Sequence, residues 1–123
     1  MSEITSFSQI VDARKENPLR VDSVEVDGLG TVFLREMDAD AMAQFLTVDS
    51  DTKEDEYSAL KSARVIVLHL CDKDGALLVK PKDREKSAKE LAQHRFKTVT
   101  GLYMDCLRVS GLATEEITEQ AGN

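Results

Sequence analysis

The sequence predicts an α+β fold, a mainly α-helical single domain with a small N-terminal β-hairpin. Three observations lead there. Apolar and polar residues alternate over residues 19–34 around a glycine-bearing turn, the pattern of half-buried strands. From residue 38 onward the apolar positions recur at steps of three and four, the helical period. The chain has 123 residues, 41% of them hydrophobic, enough for one modest core.

The elements follow in chain order. Phe7, Ile10 and Val11 share one side of a short helix over residues 6–15, closed by Asn17-Pro18, so residues 1–18 form an N-terminal arm or helix. Leu19, Val21, Val24 and Val26, the turn Asp27-Gly28-Leu29-Gly30, and Thr31-Val32-Phe33-Leu34 make a hairpin within residues 19–36. Asp38 then caps a helix over residues 39–48, where Met42, Phe45 and Leu46 repeat at helical spacing. Residues 49–56 hold five acids against one lysine and suit the exposed amides of a helix start. Leu60, Ala63, Arg64, Val67, Leu68 and Cys71 extend that helical pattern over about 53–71. The β-branched run Val65-Ile66-Val67 leaves a buried strand open as the other reading of its end.

Asp72-Lys73-Asp74-Gly75 reads as a turn that returns residues 76–79 to the same core. Residues 80–97 carry seven basic and three acidic side chains, a net +4 in an acidic molecule. Helices are predicted at about 82–90 and 92–110, the second with a stripe of Ala92, Phe96, Val99, Tyr103 and Cys106 flanked by Leu102, Leu107 and Val109. Gly111 is placed to end that helix in the left-handed conformation, which closes a helical body over residues 38–111. An acidic segment over residues 112–123 follows, with a helix start at Thr114-Glu115-Glu116-Ile117.

Charge and motif content exclude several classes. A formal charge of −7 opposes a phosphate backbone, so nucleic acid is not an expected partner. The first ten residues lack the cationic-then-apolar order of an export signal, and no apolar run approaches the roughly 20 residues that span a bilayer. A cytoplasmic chain with no membrane partner is therefore expected. Cys71 and Cys106 lie without CxxC spacing and read as reduced, buried thiols. Asp72-x-Asp74-Gly75 opens like a calcium loop, but Ala76, Leu77 and Asp83 stand where that loop needs a ligand, a glycine and a bidentate Glu. His69 and His94 lack ligand-spaced partners, Ser110-Gly111 lacks the nucleophile-elbow pattern, and Gly28-Leu29-Gly30 is no phosphate cradle. No catalytic, cofactor or metal site is expected, and hence no enzyme.

Several weak features in a fixed order carry a resemblance. Val32-Phe33-Leu34-Arg35-Glu36-Met37 leads into a polar helix. Leu70-Cys71-Asp72-Lys73-Asp74-Gly75-Ala76-Leu77-Leu78 precedes a charged helix. A second helix ends in Cys106-Leu107-Arg108-Val109-Ser110-Gly111-Leu112 before an acidic tail. This order, over residues 32–123, resembles the tail assembly chaperones of long-tailed bacteriophages. The family often has an aromatic where Leu78 or Val79 stands and Asn-Gly where Ser110-Gly111 stands.

The resemblance implies a non-enzymatic protein that holds the long helical tape-measure protein soluble during phage or prophage tail assembly, and that self-associates along it as a homo-oligomer. It also implies a longer product made by a backward ribosomal slip, which recruits the tail-tube protein; Ala121-Gly122-Asn123 is encodable by a slip-permitting heptamer. On this reading Phe96, Val99, Leu102, Tyr103, Cys106 and Leu107 are candidates to accept a client helix. Asp51, Glu54, Asp55 and Glu56 are candidates to pair with Lys82, Arg84, Lys86 and Lys89 of another copy. Core packing for the stripe and solvated helix faces for the charges are the plainer readings. A structural tail or connector subunit kept in the virion and a small acidic regulatory adaptor are the other functions open to the sequence.

Overall fold

A computed structural model describes residues 3–51 and 58–112, with side chains described for 3–48 and 59–112. Among the described residues five helices and a three-stranded antiparallel sheet follow in the order α1 (Phe7–Glu16), β1 (Val21–Val26), β2 (Gly30–Arg35), α2 (Ala39–Asp51), α3 (Ser58–Ile66), β3 (Leu70–Cys71), α4 (Arg84–Leu91) and α5 (Phe96–Val109). A short 3₁₀ turn, Pro81–Asp83, leads into α4. The α+β class expected from the pattern is the observed one.

The hairpin forms as its alternation predicts. Val26 pairs with Gly30 and Val21 with Arg35. The Leu29 N–H donates to the Val26 carbonyl at 3.0 Å, and the positive φ of Gly28 and Gly30 closes the loop. Val24, Val26, Val32, Leu34 and Leu70 stand on one face of the sheet and pack with Ile66 of α3 and with Val99, Leu102, Cys106 and Val109 of α5. Leu34, wholly buried, sits in this core. A second cluster joins Met37, Ala41 and Leu68 with Met42, Phe45 and Leu112. A third holds α3 against α4 through Ala63, Val67 and Ala88.

Helix ends are built as the sequence indicates. The Asp38 carboxylate accepts the Ala41 N–H at 2.9 Å, capping α2. At the end of α5 the Leu112 N–H reaches the Leu107 carbonyl at 2.8 Å and the Gly111 N–H the Arg108 carbonyl at 3.1 Å. With Gly111 at φ +70°, this is a Schellman stop.

Three expectations are corrected. The helix thought to run to residue 71 ends at Ile66: the Leu68 and His69 N–H groups bond three residues back, to Val65 and Ile66, tightening the last turn. Leu70 and Cys71 then extend as β3 against Leu34 and Phe33, where pairing with β2 satisfies their backbone, and the β-branched Val65 and Ile66 stay in the helix. The stretch 76–79 does not return wholesale to the core. Leu77 bridges Cys71 and the Leu78 N–H donates to Leu70, so side chains alternate: Leu77 and Val79 are half-buried, Ala76 and Leu78 exposed. Finally, the last long helix begins at Phe96 instead of Ala92. Gln93 and His94 bond three residues back, and Arg95 is extended, which reverses the chain between α4 and α5. The start of the helix expected from residue 53, and the one expected from Thr114, lie outside the described residues.

Candidate protein-binding surfaces

The expected client stripe divides by burial. Val99, Leu102, Cys106 and Leu107 are buried, and Tyr103 is half-buried against the core. Phe96, at the first position of α5, is 67% exposed. The helical period was read correctly, and the core takes most of the face it defines. Beside it lies a cleft of about 190 Å³ between the hairpin and α5, lined by Val26, Asp27, Arg95, Thr98, Gly101 and Leu102. The cleft's apolar floor and charged rim can take one side chain of a docked helix.

The basic candidates lie together on the 3₁₀ turn and α4. Lys82, Lys86 and Lys89 are exposed and Arg84 is half-buried. Within this region the exposed Glu85 reaches across to the neighbouring helix: the Arg64 guanidinium grips its carboxylate with two bonds, at 3.1 and 2.7 Å. Those bonds hold the Glu85 carboxyl below its ordinary range. On the acidic side Asp51 closes α2, and Glu54, Asp55 and Glu56 lie outside the described residues.

The junction that carries one histidine and one cysteine is structural. His69 is fully buried. Its Nδ1 lies 2.9 Å from the Val65 carbonyl, which can only accept, so Nδ1 carries the proton. Nε2 then accepts the Ser110 hydroxyl at 2.8 Å, and Ser110 Oγ in turn accepts the Met37 N–H at 3.0 Å. Desolvation pushes the His69 pKa down, matching this neutral arrangement. One side chain thus ties the end of α3, the C-cap of α5 and the entry to α2. Nothing in the sequence spacing of Met37, His69 and Ser110 signals the network.

The Asp72–Gly75 turn is likewise explained by its backbone. Asp72 Oδ1 accepts the Asp74 and Ala76 N–H groups at 2.8 and 3.0 Å, and Gly75 takes φ +89°. Both cysteines are free and buried. Among the described residues no helix is long and apolar enough to cross a membrane.

Two apolar features were not singled out as sites. At the β2–β3 side of the sheet, Thr31, Val32, Phe33, Leu70, Cys71 and Leu78 line an open groove of about 400 Å³, with Asp72 and Lys73 also in its lining. Leu78 is 62% exposed there. The second is α1, none of whose residues is buried.

A β-hairpin with a short third strand, carrying helices on one face, makes a small α+β fold. The tail assembly chaperone of bacteriophage HK97 has this fold: it matches with a TM-score of 0.57 at 18% sequence identity, over 82% of this chain and 97% of that one. No family model and no curated protein matches the sequence.

Proposed function

We propose that the chain is a non-enzymatic tail assembly chaperone that binds a tape-measure protein and keeps it soluble while the tail tube forms around it. The observation that carries this reading is the fold shared with the HK97 chaperone along nearly the whole of that protein. The surface adds a second support. Phe96 stands exposed at the start of α5, between Arg95 and Lys97 that help line the cleft against the hairpin, and such a cleft suits an amphipathic helix that lays one apolar side chain into it. A slip-extended form would bring tail-tube subunits to the same client, and the host cytoplasm is where such work is done.

Co-expression with a phage tape-measure protein tests the proposal. The client should stay soluble and co-purify with the chain, and Phe96→Ser should weaken that capture while leaving the fold intact. A client that remains insoluble, or soluble but never captured, overturns it. Purified virions should lack the chain; finding it in stoichiometric amount there would make it a structural tail subunit instead.

A further inference from the structure

Arg84 opens α4 with a guanidinium that its neighbours do not complete. Its Nε is buried away from water and has no hydrogen-bond partner among the described residues. Buried donors are almost always paired, because only an acceptor offsets the lost contact with water. Arg35 carries a second unpaired Nε, but the rest of its guanidinium is engaged: it donates to the Gly75 carbonyl at 3.2 Å and lies 3.8 Å from the Asp38 carboxylate. Arg84 lines a cavity instead.

That cavity, of about 420 Å³, lies where α2, α3 and α4 meet. Its volume falls within the roughly 300–1,000 Å³ common for small-molecule sites. Val67 and Leu68, both buried, and the half-buried Val48 give it an apolar side. Across from them the charges do not cancel. Among the described residues Glu85 is the one carboxylate in the lining, and Arg64 holds it with two bonds, at 3.1 and 2.7 Å. Glu85 is therefore committed to Arg64, and the charge of Arg84 is left over. The exposed Lys82 and Lys86, two positions to either side of Arg84, raise the local potential further.

We propose that this cavity binds a small organic carboxylate, whose anionic head accepts the Arg84 Nε–H and whose short aliphatic body lies on Val48, Val67 and Leu68. A carboxylate on a guanidinium is a charge-assisted bond, the strong kind. One unneutralised cation beside an apolar wall suits a singly charged head with a hydrocarbon body better than a phosphate, which brings more charge and no apolar surface.

Sodium hexanoate is the probe, titrated by NMR against the isotope-labelled full chain at neutral pH and constant ionic strength. The Arg84 Nε–H resonance, identified by its loss in Arg84→Gln, should move along a saturable curve. Acetate and inorganic phosphate, which lack the body, should bind at least about tenfold more weakly than hexanoate. Hexylamine, with the same body and the opposite charge, should leave the resonance in place. Followed through the methyl groups of Val67 and Leu68, hexanoate binding should weaken by about tenfold or more in Arg84→Gln. It should weaken likewise in Gln44→Glu, which sets a like charge in the lining at an exposed position and leaves the core untouched. An Arg84 resonance that stays still, or that moves equally with sodium chloride, overturns the proposal. So does phosphate or hexylamine binding as tightly as hexanoate, or hexanoate binding that both variants leave unchanged. None of these readouts involves a client protein, so they are independent of the chaperone reading.

Discussion

Lowering the pH should unfold this protein earlier than its carboxylates alone would, and His69 is the reason. Folded, the imidazole is wholly buried, its Nδ1–H engaged by Val65 and its Nε2 by the Ser110 hydroxyl, with desolvation holding its pKa below the ordinary 6.5. Unfolded, it titrates near that ordinary value. Above 6.5 neither state takes a proton and the full stability is present; below it the unfolded chain binds a proton that the native chain declines, so stability falls until the native pKa is reached. One unit below the ordinary value the unfolded form is favoured by at most RT ln 11, about 1.4 kcal/mol, the limit in which the native imidazole stays wholly neutral. In a domain of this size that limit lowers the melting temperature by roughly 4–8 °C. Urea unfolding followed by circular dichroism, at pH values one unit above and one unit below 6.5, measures the loss. The His69→Gln variant supplies the control, since every other titrating group, including the exposed His94, is common to both proteins. Wild type should lose more than the variant between the two conditions, by up to about 1.4 kcal/mol. Equal losses would refute the neutral, buried assignment of His69.

Other substitutions read the fold directly. Leu34→Ala empties a wholly buried site between the sheet, α3 and α5, and should cost about 3 kcal/mol in denaturant unfolding. Gly75→Ala places a Cβ at φ +89° and 3.4 Å from Val21 Cγ2, with an expected loss of about 1–2 kcal/mol by the same measurement. Asp38→Ala removes the cap of α2 and should cost about 1 kcal/mol. Burial pushes both thiols up, Cys106 most, so a thiol reagent should label neither cysteine in the native protein and both in urea; rapid native labelling of Cys71 would contradict its burial between Phe33 and Leu77.

Periodicity carried most of the fold. The hairpin, the Asp38 cap, the stripe of α5 and the Gly111 stop all follow from local spacing and local backbone preference, which the sequence displays directly. What stayed hidden depends on distant residues. Leu70 and Cys71 continue the three-and-four pattern of α3 yet form a strand, because their partners are Leu34 and Phe33, more than thirty positions away. The His69–Ser110–Met37 network joins three segments whose letters carry no mutual signal. The β2–β3 groove joins Phe33 to Leu78, each ordinary in its own neighbourhood. α1 was legible as a helix from Phe7, Ile10 and Val11, but its isolation from the core appears only in three dimensions.

A core this small constrains where a partner can bind. The sheet has one face to fill, and Val99, Leu102, Cys106 and Val109 of α5 fill it together with Ile66 of α3. Each of these side chains contributes about 1.5–3 kcal/mol by leaving water, a large share of the stability such a domain possesses. Exposing that face to a partner would spend the stability that keeps the chain folded, so contact area for partners has to come from surface the core leaves over. Phe96, the Phe33–Leu78 groove and the apolar side of α1 are that surface. The distinction is measurable. Substitutions at Leu102 or Cys106 should reduce client capture only in proportion to lost folding, whereas Phe96→Ser should reduce capture at unchanged melting temperature. Loss of capture at Leu102 without loss of stability would mean that α5 opens to bind, and that the buried stripe is itself the client site.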